Sequence, residues 1–109
     1  MITDKMVEQA LRYLTDPNQE AAKARAGAEH MDDMTKVLLA KLMLESEEKS
    51  AAAKEMDARA DPRFQSHIDQ LKALKELDYM WRDRRAAATA IIDMWRTEQS
   101  NIRVAERVR

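Results

Sequence analysis

The chain has 109 residues, and its 19 basic and 20 acidic side chains leave a net charge of −1, which argues against a general polyanion binder. Charged residues make up 36% and aromatics only 5%, the bias of long solvent-facing helices rather than of a thick globular core. No cysteine is present, which excludes a disulfide framework and any thiolate metal site.

One glycine and two prolines are all that could interrupt a helix, and both prolines come directly after an aspartate, at Asp16-Pro17 and Asp61-Pro62. Asp-Pro reads as a helix start, because the carboxylate caps exposed N–H groups and proline tolerates the first helical position. The first expected element is an arm over residues 3–15. Met6, Val7, Ala10, Leu11 and Leu14 form its apolar stripe, with Thr3 or Asp4 as the cap. So short a helix must dock on something to be stable. Met1 to Lys5 carries no apolar core of a secretory signal, and no apolar run approaches the roughly 20 residues that span a bilayer. The expectation is a cytoplasmic protein with no membrane partner.

Asp16 is expected to open a second helix over residues 17–45, with Gln19 completing a capping box. An alanine-rich start leads into Met31, Met34, Val37, Leu38, Leu42 and Met43, and Gly27 marks tight packing or a slight bend rather than a stop. Six polar residues, Glu45 to Ser50, interrupt the apolar stripe, so a break is expected there, with a short helix over 50–59 after it.

Asp61-Pro62 launches the longest helix, over 62–107. His67, Leu74, Trp81, Ala88, Trp95 and Ile102 stand seven residues apart, one heptad column, while the adjoining column is interrupted by Asp78, Arg85 and Gln99. That interruption favours a hairpin or bundle over a parallel zipper. The expected lengths, roughly 68 Å for the last helix and roughly 43 Å for the second, leave room for the arm on the C-terminal half of the last helix, near Trp95. The fold class that emerges is all-α: an antiparallel, coiled-coil-like hairpin of long helices with a short N-terminal helix. One hairpin leaves apolar surface uncovered, so a homo-oligomeric bundle is expected. Leu38, Leu42, Leu74, Trp81, Ile92, Trp95 and Ile102 are its candidate self-association core.

Catalytic chemistry finds no footing. Neither histidine, His30 nor His67, has the Glu three residues before it that a helical di-metal site needs, and one glycine cannot build a phosphate loop. No nucleophile motif is present. No metal, cofactor or catalytic residue is therefore assigned, and the expectation is a non-enzyme. The last stretch is distinctive in another way: Met80 to Arg109 holds seven arginines against four acids, an excess of three positive charges. Arg82, Arg84, Arg85, Arg96 and Arg103 are candidate contacts to an acidic partner or, with the tryptophans as stacking surfaces, to single-stranded nucleic acid. The shared register of Trp81 and Trp95 with Leu74 and Ile102 instead argues that the indoles fill the core with arginines flanking them.

Lys23 to Ala26, Lys36 to Met43, Ala60-Asp61-Pro62-Arg63-Phe64 with His67 and Leu71, and Arg85 to Ala88 running on through Trp95 to Asn101 together resemble a group of small helical proteins. Tailed bacteriophages and prophages encode that group, often near single-strand annealing recombination genes. The resemblance implies an accessory or adaptor role in phage DNA recombination or replication, through protein contact or weak nucleic-acid contact, with no catalytic residue to carry over. An inhibitor of a host defence system or host nuclease, and a structural particle component, are the alternatives for a small helical chain without catalytic groups.

Overall fold

In a computed structural model, which describes residues 1–108, the chain forms four helices and, among those residues, no strand. They are α1 (Asp4–Leu14), α2 (Glu20–Glu45), α3 (Ala51–Ala60) and α4 (Pro62–Val108). Contacts group them into two compact units, one of Met1–Glu20 with the chain from Met80 onward, the other of Ala21–Tyr79.

Local chemistry explains where each helix begins. The Thr3 hydroxyl caps α1 by accepting from the Met6 amide at 3.2 Å. Ser50 caps α3 in the same way through the Ala53 amide at 3.0 Å. The two Asp-Pro pairs behave differently. At Asp61 the carboxylate accepts from the Arg63 amide at 2.8 Å, the carbonyl accepts from Phe64 and Gln65, and Pro62 is the first residue of α4. At Asp16 the carboxylate accepts from the Asn18 amide and the carbonyl from the Gln19 amide, which closes a tight turn. Gln19 then adopts a left-handed φ of 53°, and α2 starts at Glu20 rather than at Pro17 with Gln19 as its capping partner. The residues downstream of each proline make the difference. Phe64 is drawn into the core and holds the helical backbone after Pro62, whereas Pro17, Asn18, Gln19 and Glu20 are all exposed and none of them packs into a core, so the hydrogen bonds to Asp16 set a turn instead.

In the unit of residues 21–79, Leu42, Ala58 and Phe64 are buried together, with Leu38, Leu39, Met43 and Ile68 packed around them. Arg63 fastens the corner below, reaching Glu45 at 2.6 Å and Asp61 at 2.9 Å. These hydrogen-bonded carboxylates raise the Arg63 pKa further above its ordinary range, and the bonds between Arg63 and Asp61 lower that of Asp61. Between α2 and α3, the Ser46 hydroxyl donates to Asp57 at 2.7 Å and accepts from the Glu48 amide, so the polar break has its own clasp. Further along, the His67 Nε2 atom sits 2.9 Å from the Thr35 hydroxyl and 3.0 Å from the Met31 carbonyl, and Lys75 lies 3.8 Å from Asp32. In this unit α2 is thus tied to α4 at Glu45–Arg63, at Thr35 and Met31 with His67, and at Asp32–Lys75.

Gly27 corrects the expectation of tight packing. A Cβ built there meets nothing within 4 Å, and α2 passes through without a left-handed residue. The buried small residues of this stretch are Ala24 and Ala28.

Candidate functional site

The unit containing α1 is assembled on α4 from Trp81 to Glu98. At one end the Tyr13 ring stacks on Trp81, with centroids 5.4 Å apart and planes 14° from parallel, and the Tyr13 hydroxyl donates to the Trp81 carbonyl at 2.9 Å. At the other end the Ile2 amide donates to both carboxylate oxygens of Glu98, at 3.1 and 3.2 Å. Between these ties Ala10 and Ala88 are buried, and Met6, Val7, Ile91, Ile92 and Trp95 are half-buried. Small residues on both helices let the backbones approach, which is why an arm of 11 residues can be held at all.

Tyr13 was not among the arm's expected stripe, although it stands three residues after Ala10 and so shares its face. It takes the role expected of Leu11, which remains 48% exposed. Burial pushes the Tyr13 phenol above its ordinary pKa; Arg84 and Arg85 pull it down and Asp16 adds a smaller push upward.

This stack settles what Trp81 touches. Its ring has Tyr13 against it and the Arg84 guanidinium 5.6 Å from its centroid, so a nucleobase would have to displace one of them. Trp95, half-buried, also lies along the stretch that α1 covers. Arg82, Arg84, Arg85, Arg96 and Arg103 are all exposed on α4. Arg109, counted with the basic end, lies outside the described residues. Arg82 and Arg85 line an open groove of about 520 Å³ with Ala86, Thr89, Ala90 and Asp93.

The candidate self-association residues separate into three groups. Leu38 and Leu42 belong to the intramolecular cluster around Phe64, so they do not form the uncovered surface expected of them. Leu74, Trp81, Ile92 and Trp95 are half-buried, on the inward side of α4. Ile102 departs from its column and is 46% exposed, because the tie between the N-terminal arm and α4 ends at Glu98.

His67 is engaged by Thr35 and Met31, His30 is exposed, and among the described residues no three His, Asp or Glu side chains gather in a way that would hold a metal ion. Nor is any described helix long and apolar enough to cross a membrane. Compared with known protein families, curated proteins and solved structures, the chain matches none of them.

Proposed function

We propose that this chain is a non-catalytic adaptor that works by protein contact through the exposed arginine-bearing stretch of α4. The supporting observation is the pairing of Trp81 with Tyr13 and Arg84. With the indole engaged inside the molecule, the chemistry α4 offers a partner is a set of exposed guanidinium groups, at Arg82, Arg84, Arg85, Arg96 and Arg103, with Arg82 and Arg84 on different sides of the helix, rather than an aromatic stacking platform. Such groups recognise carboxylates on an acidic protein face through bidentate hydrogen bonds.

In this reading α2 and α4 form an antiparallel, coiled-coil-like hairpin, supported by the order of contacts from Glu45–Arg63 to Asp32–Lys75. Copies associate into a bundle that brings several such sets of arginines together. The sequence resemblance supplies the setting: an accessory factor in phage DNA recombination or replication, in the cytoplasm of the bacterial host, whose contacts with single-stranded DNA are weak and secondary.

The test is a titration with an acidic polypeptide and with single-stranded DNA at low and at physiological salt. The parent is compared with a variant carrying Arg82→Ala, Arg84→Ala and Arg85→Ala. The adaptor reading expects binding to the acidic polypeptide that depends on these arginines, and DNA binding that disappears near physiological salt. DNA binding that is tight, survives that salt and requires the three arginines would overturn it in favour of direct nucleic-acid binding.

A further inference from the structure

We propose that the face of α4 between Arg82 and Asp93 pairs with the same face of a second copy of this chain, the two helices running in opposite directions. The proposal rests on the self-association of the adaptor and names the surface that carries it; the pairing takes up Arg82 and Arg85 and leaves Arg84, Arg96 and Arg103 exposed for the acidic partner. Arg82, Arg85, Ala86, Thr89, Ala90 and Asp93 line one open groove, and all six are exposed. With 3.6 residues per turn, positions 82, 86, 89 and 93 fall on one side of the helix. Trp81, Ala88 and Trp95, the positions turned toward α1, fall on the other.

The charge pattern of this groove is what points to a second copy. It is basic at one end, through Arg82 and Arg85, acidic at the other, through Asp93, and uncharged between. A two-fold axis at the midpoint of this stretch, between Ala87 and Ala88, places Arg82 opposite the partner's Asp93 and Ala86 opposite the partner's Thr89. Symmetry then repeats both contacts. A parallel pairing would instead set Arg82 against Arg82 and Asp93 against Asp93. The two ends are roughly 16 Å apart along the helix axis, about two Debye lengths at physiological salt, so the charges at one end of the pairing depend little on those at the other. The attractive arrangement is therefore the antiparallel one. The short side chains of Ala86, Thr89 and Ala90 allow the helices to come close enough for the terminal charges to meet, and Arg85 stands one turn inward from Arg82 as a second donor to the same carboxylate.

Because the chain lacks cysteine, introduced thiols report proximity without interference. Ala86→Cys and Thr89→Cys proteins are mixed in equal amounts, allowed to exchange subunits and mildly oxidised. The antiparallel pair brings these two positions within disulfide reach of each other, so the disulfide joining the two different variants should exceed the half share expected of random encounter. Separately, Asp93→Arg should weaken association roughly tenfold in sedimentation, the size expected when two exposed ion pairs become repulsive. Adding Arg82→Asp and Arg85→Asp should restore it, with helical content by circular dichroism unchanged throughout. A predominance of self-disulfides, a monomer at every concentration tested, or an Asp93→Arg protein that associates like the parent would each overturn the pairing. A monomer that still binds the acidic polypeptide through its arginines removes the pairing and leaves the adaptor reading intact. A dimer that binds no acidic ligand does the reverse.

Discussion

Removing the Tyr13 ring should release α1 from α4. Tyr13 is half-buried, so its ring contributes about half of the ~3 kcal/mol available from burying a large apolar side chain. The near-parallel stack on Trp81 adds about 1 kcal/mol, and the hydroxyl bond to the Trp81 carbonyl another ~1 kcal/mol. Tyr13→Ala should therefore cost ~3.5 kcal/mol. Tyr13→Phe should cost only ~1 kcal/mol, since the Trp81 carbonyl lies inside a helix and is not stranded by losing the phenol. An 11-residue helix falls below the ~12–15 residues that are marginal in isolation, so an undocked α1 also unravels. Native-state hydrogen exchange at the Ala10 and Leu11 amides reads this directly. Protection should fall about three hundredfold in Tyr13→Ala and about fivefold in Tyr13→Phe, at tenfold per 1.4 kcal/mol. Protection in Tyr13→Ala within a factor of about two of the parent, the noise level of context-dependent contact energies, would refute the argument that this stack holds the arm. The phenol carries a pH signature as well. Burial raises its folded pKa, so the neutral form is favoured when docked, and the stabilisation is present below the ordinary tyrosine value near 10 and lost as pH rises beyond it. The exchange of α1 should accelerate in that alkaline range, and Tyr13→Phe should abolish the dependence.

Other consequences concern the unit of residues 21–79. Gly27→Ala should raise its stability by about 1 kcal/mol in a denaturant melt, because the added methyl meets no atom within 4 Å and the helical backbone suits alanine better. Phe64→Ala should cost ~3–5 kcal/mol, since the ring is 6% exposed and anchors the cluster with Leu42 and Ala58; an unchanged urea midpoint would contradict that role. Hydrogen bonds from Arg63 hold the Asp61 carboxyl below its usual pKa, so its stabilising effect is present above about pH 4 and lost as pH falls further. Melting temperatures across that acid range should drop more steeply for the parent than for Arg63→Ala.

Much of this architecture is legible in composition and spacing. So little interrupts the helices that their number and order can be read from a few residues: Thr3, the polar run from Glu45 to Ser50, and Asp61-Pro62. Those signals are local, since a capping oxygen reaches an amide only two or three residues away. Asp16-Pro17 shows where local signals stop. It carries the same dipeptide as Asp61-Pro62, yet closes a turn, because the helical continuation is decided by whether the residue two after proline finds a core, as Phe64 does and Gln19 does not. The heptad column likewise identifies which residues face inward but not what faces them. A straight helix drifts about 20° per heptad against a strict seven-residue repeat, and a column is covered only as far as its partner extends. Leu42 was taken up by Phe64 and Ala58, Trp81 by Tyr13, while Ile102 was left outside once the arm's tie to α4 ended at Glu98. The sequence by itself determined the helices, most of their starts and most of their inward stripes, because these depend on neighbours along the chain. Only the tertiary structure decided which stripe met which, and therefore that the tryptophan beside the arginines was engaged inside the molecule while the arginines stayed exposed, because those contacts join residues as much as 96 positions apart.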